Sequence, residues 1–182
     1  MEIDTNLMLQ QSAQGDQQSF RLLYDSLSPK ILAFLMQMLR DRHLAEDVLQ
    51  ETMIQSWRKA AQFDASKAKA STWIIAIARN RALDYLRKNN RFKQVIEEND
   101  YQIGEALYGD DGDTESVISA RTSGQLSQCM DTLGSDPAAC IRLAYINGFS
   151  FGEIAQVRDN SINTIKSWVR RGLEKLSECM QQ

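Results

Sequence analysis

Between positions 163 and 171 the sequence sets Asn163, Lys166, Ser167, Arg170 and Arg171 at steps that gather them on one side of a helix. An arginine fork matches the edge of guanine and an asparagine amide that of adenine. Each good bidentate pair discriminates by about 1–3 kcal/mol, while lysine mainly attracts phosphate. A solvated charged face has the same spacing. What favours base reading is the preceding sequence: a short helical pattern over 151–157, a polar Arg158-Asp159-Asn160 turn and Ser161 placed to cap a second helix. That succession is a helix-turn-helix, whose second helix enters the major groove. Ile162, Ile165, Val169, Leu173 and Leu176 fall on the opposite face, and Ile154 and Ala155 are expected to pack against it.

A second cluster lies in the helical stretch from Trp73 to Arg87, which combines an aromatic ring, Asn80 and the cations Arg79, Arg81 and Arg87. Bases drawn out of a duplex are held by stacking, by hydrogen bonds to their exposed edges and by cations on the backbone. On composition alone, a buried helix with a basic tail fits equally well. A third cluster, Asp47 and Glu51 one helical turn apart with Gln50 beside them, makes an acidic ridge suited to a basic partner helix. His43, Asp47 and Glu51 also fall at metal-ligand steps, but one histidine in the whole chain is a poor basis for a metal site. Without a P-loop, a nucleophile elbow or a histidine pair, no catalytic residue, cofactor or metal is expected.

The elements that must position these clusters are helical. From Ser19 to Leu39, Phe20, Leu23, Tyr24, Leu27, Ile31, Phe34, Leu35 and Met38 recur at the helical period, with Ser28-Pro29 read as a junction between two helices. A further helix runs from near Leu44 through Trp57. A loop over 62–70 then leads to the Trp73 helix, with Ser71 or Thr72 as its cap. Between Glu97 and Glu115 the chain is acidic with no Lys or Arg, too poor in apolar residues to offset its ordering entropy. Helical periodicity resumes at Val117, and Asp136-Pro137 marks a helix start with Asp136 as cap. The expected fold is all-α: two small helical domains, 1–95 and 119–182, joined by a flexible acidic linker, 96–118, with the helix-turn-helix in the second.

Composition agrees. Two prolines and nine glycines in 182 residues leave few breaks for sheet turns. The net charge of −3 argues against a polycationic nucleic-acid binder, but it averages two basic stretches and one acidic one. Cys129, Cys140 and Cys179 are an odd number without a CxxC pair, so buried inert thiols in a reducing cytoplasm are expected. No signal segment or membrane-length apolar run is read, so a soluble protein is expected and any membrane link must come through a partner.

The stretch Leu44-Ala45-Glu46-Asp47-Val48-Leu49-Gln50-Glu51-Thr52, then Trp57, Thr72-Trp73-Ile74 and Ile77-Ala78-Arg79-Asn80, closely resembles the polymerase-binding and promoter-melting region of bacterial extracytoplasmic-function (ECF) sigma factors. Gly148 to Ala155 and Thr164 to Leu173 resemble the upstream-promoter reader of the same family. The resemblance implies that Asp47, Leu49, Gln50 and Glu51 dock the coiled coil of the polymerase's largest subunit, with the flap as a second polymerase contact. It implies that Asn80, Trp73 and the loop with Phe63, Asp64 and Lys67 take a base flipped from the minus-ten element, with Arg79, Arg81 and Arg87 on phosphates. Asn163, Lys166, Ser167, Arg170 and Arg171 would read the minus-thirty-five element. It further implies a linker, with Asp110, Asp111 and Asp113, that threads the polymerase cleft, and control by an anti-sigma factor, often membrane-bound. A stand-alone helix-turn-helix regulator is the rival reading; the Asp47–Glu51 and Trp73–Arg87 clusters oppose it.

Overall fold

The computed structural model describes residues 4–89, 91–94 and 124–181. The expected linker, 96–118, and both expected domain boundaries lie outside them. Packing divides the chain into two units, Met1–Lys88 and Asn89–Gln182. Every regular element among the described residues is helical.

The first unit holds α1 (Thr5–Ala13), α2 (Gln17–Leu39), α3 (Arg42–Lys59) and α4 (Ala70–Lys88), with a single 3₁₀ turn at Ala60–Gln62. Each of the first three starts at an aspartate whose carboxylate accepts from backbone N–H groups of the first turn: Asp4, Asp16 and Asp41. The polypeptide turns from α2 into α3 at Arg40, in the left-handed region at φ 53°. α2 packs on α1, α3 and α4 and supplies the centre of the core with Leu23, Ile31, Phe34, Leu35, Met38 and Leu39. Tyr24, expected on the buried stripe, is exposed. Phe20 packs edge-on against Trp57 of α3, ring centroids 5.0 Å apart.

Ser28-Pro29 does not divide α2: the helix runs unbroken through Pro29. A proline inside a helix deletes one backbone hydrogen bond, a cost of about 3 kcal/mol, and burial of Leu27 and Ile31 on either side against neighbouring helices holds the two halves in line. Nor do Ser71 or Thr72 cap α4. The helix begins at Ala70, whose N–H donates to the side-chain Oδ1 of Asn6 in α1 at 2.7 Å, so the cap comes from 64 residues away in sequence.

The second unit contains α5 (124–131), α6 (Ser135–Ile141), a wide turn Arg142–Ile146 closed by Asn147 N–H donating to the Arg142 carbonyl at 3.0 Å, α7 (Phe151–Val157) and α8 (Ile162–Met180). Asp136 does not cap α6. Gly134 occupies the cap position, and Asp136, in the first turn, instead pairs with Arg158 at 3.0 Å. α7 opens on a reciprocal capping box: Ser150 Oγ accepts from Glu153 N–H, and the Glu153 carboxylate accepts from Ser150 N–H at 2.8 Å.

α8 packs on α6 and α7. Its buried seam is Ile165, Val169, Gly172 and Leu176, whereas Ile162 is 47% and Leu173 36% exposed. The expected stripe was therefore displaced by one position near residue 172. The reason is close approach to α6: a Cβ on Gly172 would lie 2.6 Å from Ile141 Cδ1. The cysteine expectation also fails. Cys129 of α5 and Cys179 of α8 form a disulfide with Cα atoms 5.8 Å apart, and only Cys140 fits the reading of a buried residue outside a disulfide. The separation of 50 residues conceals that pairing from any local motif.

Candidate nucleic-acid and polymerase interfaces

On α8, Ser161 caps the helix by accepting from Thr164 N–H at 3.1 Å. The turn before it is closed by Asn160, whose N–H reaches the Ala155 carbonyl at 3.0 Å and whose side-chain amide reaches the Arg158 carbonyl at 2.7 Å. Asp159 takes the left-handed conformation at φ 49°, a place where glycine is more usual. Ile154 and Ala155 are buried as expected. On the outer side Asn163, Lys166, Arg170 and Arg171 are exposed and Ser167 is half-buried. Arg170 pairs with Glu174 at 3.0 Å, and Arg171 donates to Ser167 Oγ at 2.8 Å. These are exposed contacts that a stronger phosphate or base partner can replace.

On α4, Trp73, Asn80 and Arg87 recur at seven-residue steps and so lie along one stripe. Asn80 and Arg87 are exposed, and Trp73 and Arg79 are half-buried. The Trp73 ring meets Phe63 of the preceding loop at 5.8 Å between centroids. In that loop Asp64 accepts from Ser66 N–H at 3.0 Å and Ser66 Oγ at 2.7 Å, and pairs with Lys67 at 3.1 Å. Those contacts, the Ser66 hydroxyl first, hold the Asp64 carboxyl down at about 2. Phe63, Asp64, Lys67 and Trp73 thus belong to one structured corner.

Arg81 departs from that group. Its side chain turns to α3, where Nε donates to Gln55 Oε1 at 2.6 Å and Nη1 meets Glu51 Oε2 at 3.3 Å. α3 itself presents Asp47, Gln50 and Glu51 as an exposed ridge, with Leu49 beneath it at 6% exposure. Ile54, which the sequence reading missed, prolongs the ridge and is 47% exposed. Its signal was available: it stands three positions after Glu51 and four after Gln50. Among the described residues, no group of three His, Cys, Asp or Glu side chains is placed to hold a metal, so His43, Asp47 and Glu51 form no such cluster.

Residues 23–92 match the family of Sigma-70 region 2, and residues 123–176 match Sigma-70, region 4. The two stretches together cover more than half of the chain, and their presence in one polypeptide defines an RNA polymerase sigma factor, an initiation factor without catalytic activity. Along its length the chain is similar to curated sigma factors of one kind. It is 29% identical to the ECF RNA polymerase sigma factor SigK of Mycobacterium ulcerans (strain Agy99), over 97% of this chain and 94% of that one. It is 28% identical to SigK of Mycobacterium bovis (strain BCG / Pasteur 1173P2), with the same coverages. The chain belongs to the ECF subfamily of RNA polymerase sigma factors. Among solved structures, CnrH in complex with the cytosolic domain of CnrY aligns with TM-score 0.43 and 19% identity, over 99% of this chain and 98% of that one. The sigma factor RpoE of Bartonella quintana, solved with the anti-sigma factor NepR, aligns with TM-score 0.38 and 24% identity, over 89% of this chain and 96% of that one. No described helix is long and apolar enough to cross a membrane.

Proposed function

We propose that this sigma factor docks core RNA polymerase through the α3 ridge of Asp47, Gln50 and Glu51, reads the minus-thirty-five element with α8, and captures a base flipped from the minus-ten element at the Phe63–Trp73 corner and Asn80. The observation that carries the reading is the outer face of α8. Asn163, Lys166, Arg170 and Arg171 all face solvent on a helix that is capped and braced by α7. Side chains so placed reach base edges and phosphates without unfolding anything. On α4, Trp73 offers a stacking surface, Asn80 an exposed amide and Arg87 a cation, the set that an unpaired base and its phosphate require. Strand opening is driven by binding energy, because capture of the extruded base offsets the loss of its stacking. Core polymerase would be met at the coiled coil of its largest subunit and at the flap. Control by an anti-sigma factor, the linker's path through the polymerase cleft and a cytoplasmic location complete the proposal, and these rest on membership of the subfamily.

Run-off transcription from a random-promoter library, with purified core polymerase, tests the reading. Transcripts that need the protein and share two spaced upstream motifs are expected. With Arg170→Ala the upstream motif should lose information at one or two positions while the downstream motif persists. A folded protein that yields no transcripts with an active core enzyme would overturn it.

A further inference from the structure

The family resemblance implies a phosphate-binding role for Arg81 alongside Arg79 and Arg87, and the contacts of Arg81 with Gln55 and Glu51 do not match it. We infer that Arg81 is a positioning residue for polymerase docking: it bridges α4 to α3 and presents the Glu51 carboxylate on the docking ridge, instead of contacting promoter DNA. The inference rests on the proposed docking role of that ridge.

Gln55 and Glu51 stand one turn apart on α3, and the Arg81 guanidinium spans them, with Nε on Gln55 at 2.6 Å and Nη1 on Glu51 Oε2 at 3.3 Å. A hundred degrees separates successive residues on a helix, so Arg81 is turned away from the Trp73–Asn80–Arg87 stripe and towards α3. Glu51 keeps 62% of its side chain exposed, and among the described residues the only hydrogen-bond partner of its carboxylate is Arg81, on Oε2. The second carboxylate oxygen, Oε1, is left for an incoming donor. A long exposed side chain fixed in one rotamer loses less freedom on binding, which is how preorganisation raises affinity. The pair also borders a groove of about 490 Å³ between α3 and α4, lined by Ile54, Arg58 and Lys59 beyond Glu51 and Gln55. Along α3 the surface therefore runs acidic, apolar and then basic. It fits a partner helix with basic residues opposite Asp47 and Glu51, an apolar side chain over Ile54 and an acidic residue towards Arg58 and Lys59.

The test combines a thermodynamic cycle with a DNA assay on preassembled holoenzyme. Core affinity is measured for the full-length wild type, Glu51→Ala, Arg81→Ala, the double variant and Arg81→Lys. Binding of a forked minus-ten DNA is then measured across a salt series, with core saturated by each variant. Arg81→Ala should weaken core binding about two- to fivefold, the range of an exposed ion pair. The double variant should bind core no worse than Glu51→Ala, and Arg81→Lys, which keeps the cation without the fork, should recover part of the loss. Saturated holoenzymes should show an unchanged salt slope on DNA. Multiplying losses in the double variant, an unchanged core affinity for Arg81→Ala, or a shallower salt slope would each overturn the inference; the last would mark Arg81 as a phosphate ligand. If Glu51→Ala itself leaves core affinity intact, the docking reading of the ridge fails first, and that outcome is distinct from all the others.

Discussion

Asp64 illustrates what single residues do in this protein. It was singled out as part of a base pocket, yet its carboxylate is engaged by Ser66 and Lys67 and shapes the loop that carries Phe63. Because its folded pKa is depressed, the interaction contributes fully above the ordinary value of 3.8 and is lost as pH falls through about 2. A carboxyl-detected NMR titration should therefore place the Asp64 midpoint near 2, and Ser66→Ala should raise it towards 3.8; a wild-type midpoint near 3.8 would refute the hydrogen-bonded loop. At this scale the sequence was informative about which residues face outward: Asp47, Gln50, Glu51, Asn80, Asn163, Lys166, Arg170 and Arg171 are all exposed. It was uninformative about where a long side chain turns. Arg81 is one position from Asn80, and only the packing of α4 on α3 decides that it points to Gln55 and Glu51. Leu49, read as part of the ridge, supports it from below.

At the level of elements, helix existence was legible because apolar residues recur at the helical period, and helix ends were legible only where the cap is local. Ser161 before α8 is such a local signal; the Ser150–Glu153 box before α7 is equally local but is not among the caps expected from the sequence. The start of α4 is not, since Asn6 supplies its cap from α1, a helix with little apolar pattern to announce it. The same blindness to distant neighbours misplaced the buried seam of α8 onto Leu173, because the room for Ile141 is made by Gly172. Asn6→Ala should remove the acceptor for Ala70 N–H and cost about 1 kcal/mol locally. Hydrogen exchange is the direct measure: faster exchange at Ala70, with protection of α8 unchanged, is expected. Equal loosening in both units would point to general destabilisation instead. The helix that carries Asn80 thus depends on the N-terminal helix for its first turn.

For the molecule as a whole, two helical units with separate cores could be anticipated from the apolar patterns on either side of the acidic stretch. What could not be anticipated was that α5 and α8 meet at Cys129 and Cys179. A crosslink across 50 residues restricts the unfolded chain, and by the loop-entropy account it contributes about 4 kcal/mol. Denaturation with and without reductant should accordingly lower the transition of the second unit and leave the first unmoved, and Cys129→Ser should reproduce the reduced behaviour without reductant. Coincident shifts of both transitions would contradict independent cores. The position of the bond has another consequence, for mechanical load. Tension applied between the N-terminal end of α5 and the C-terminus of the chain passes from Cys129 to Cys179 across a single covalent link. While that link is intact, α6, α7 and most of α8 lie outside the load path, and the outer face of α8 keeps its shape under a pull that would otherwise unravel it.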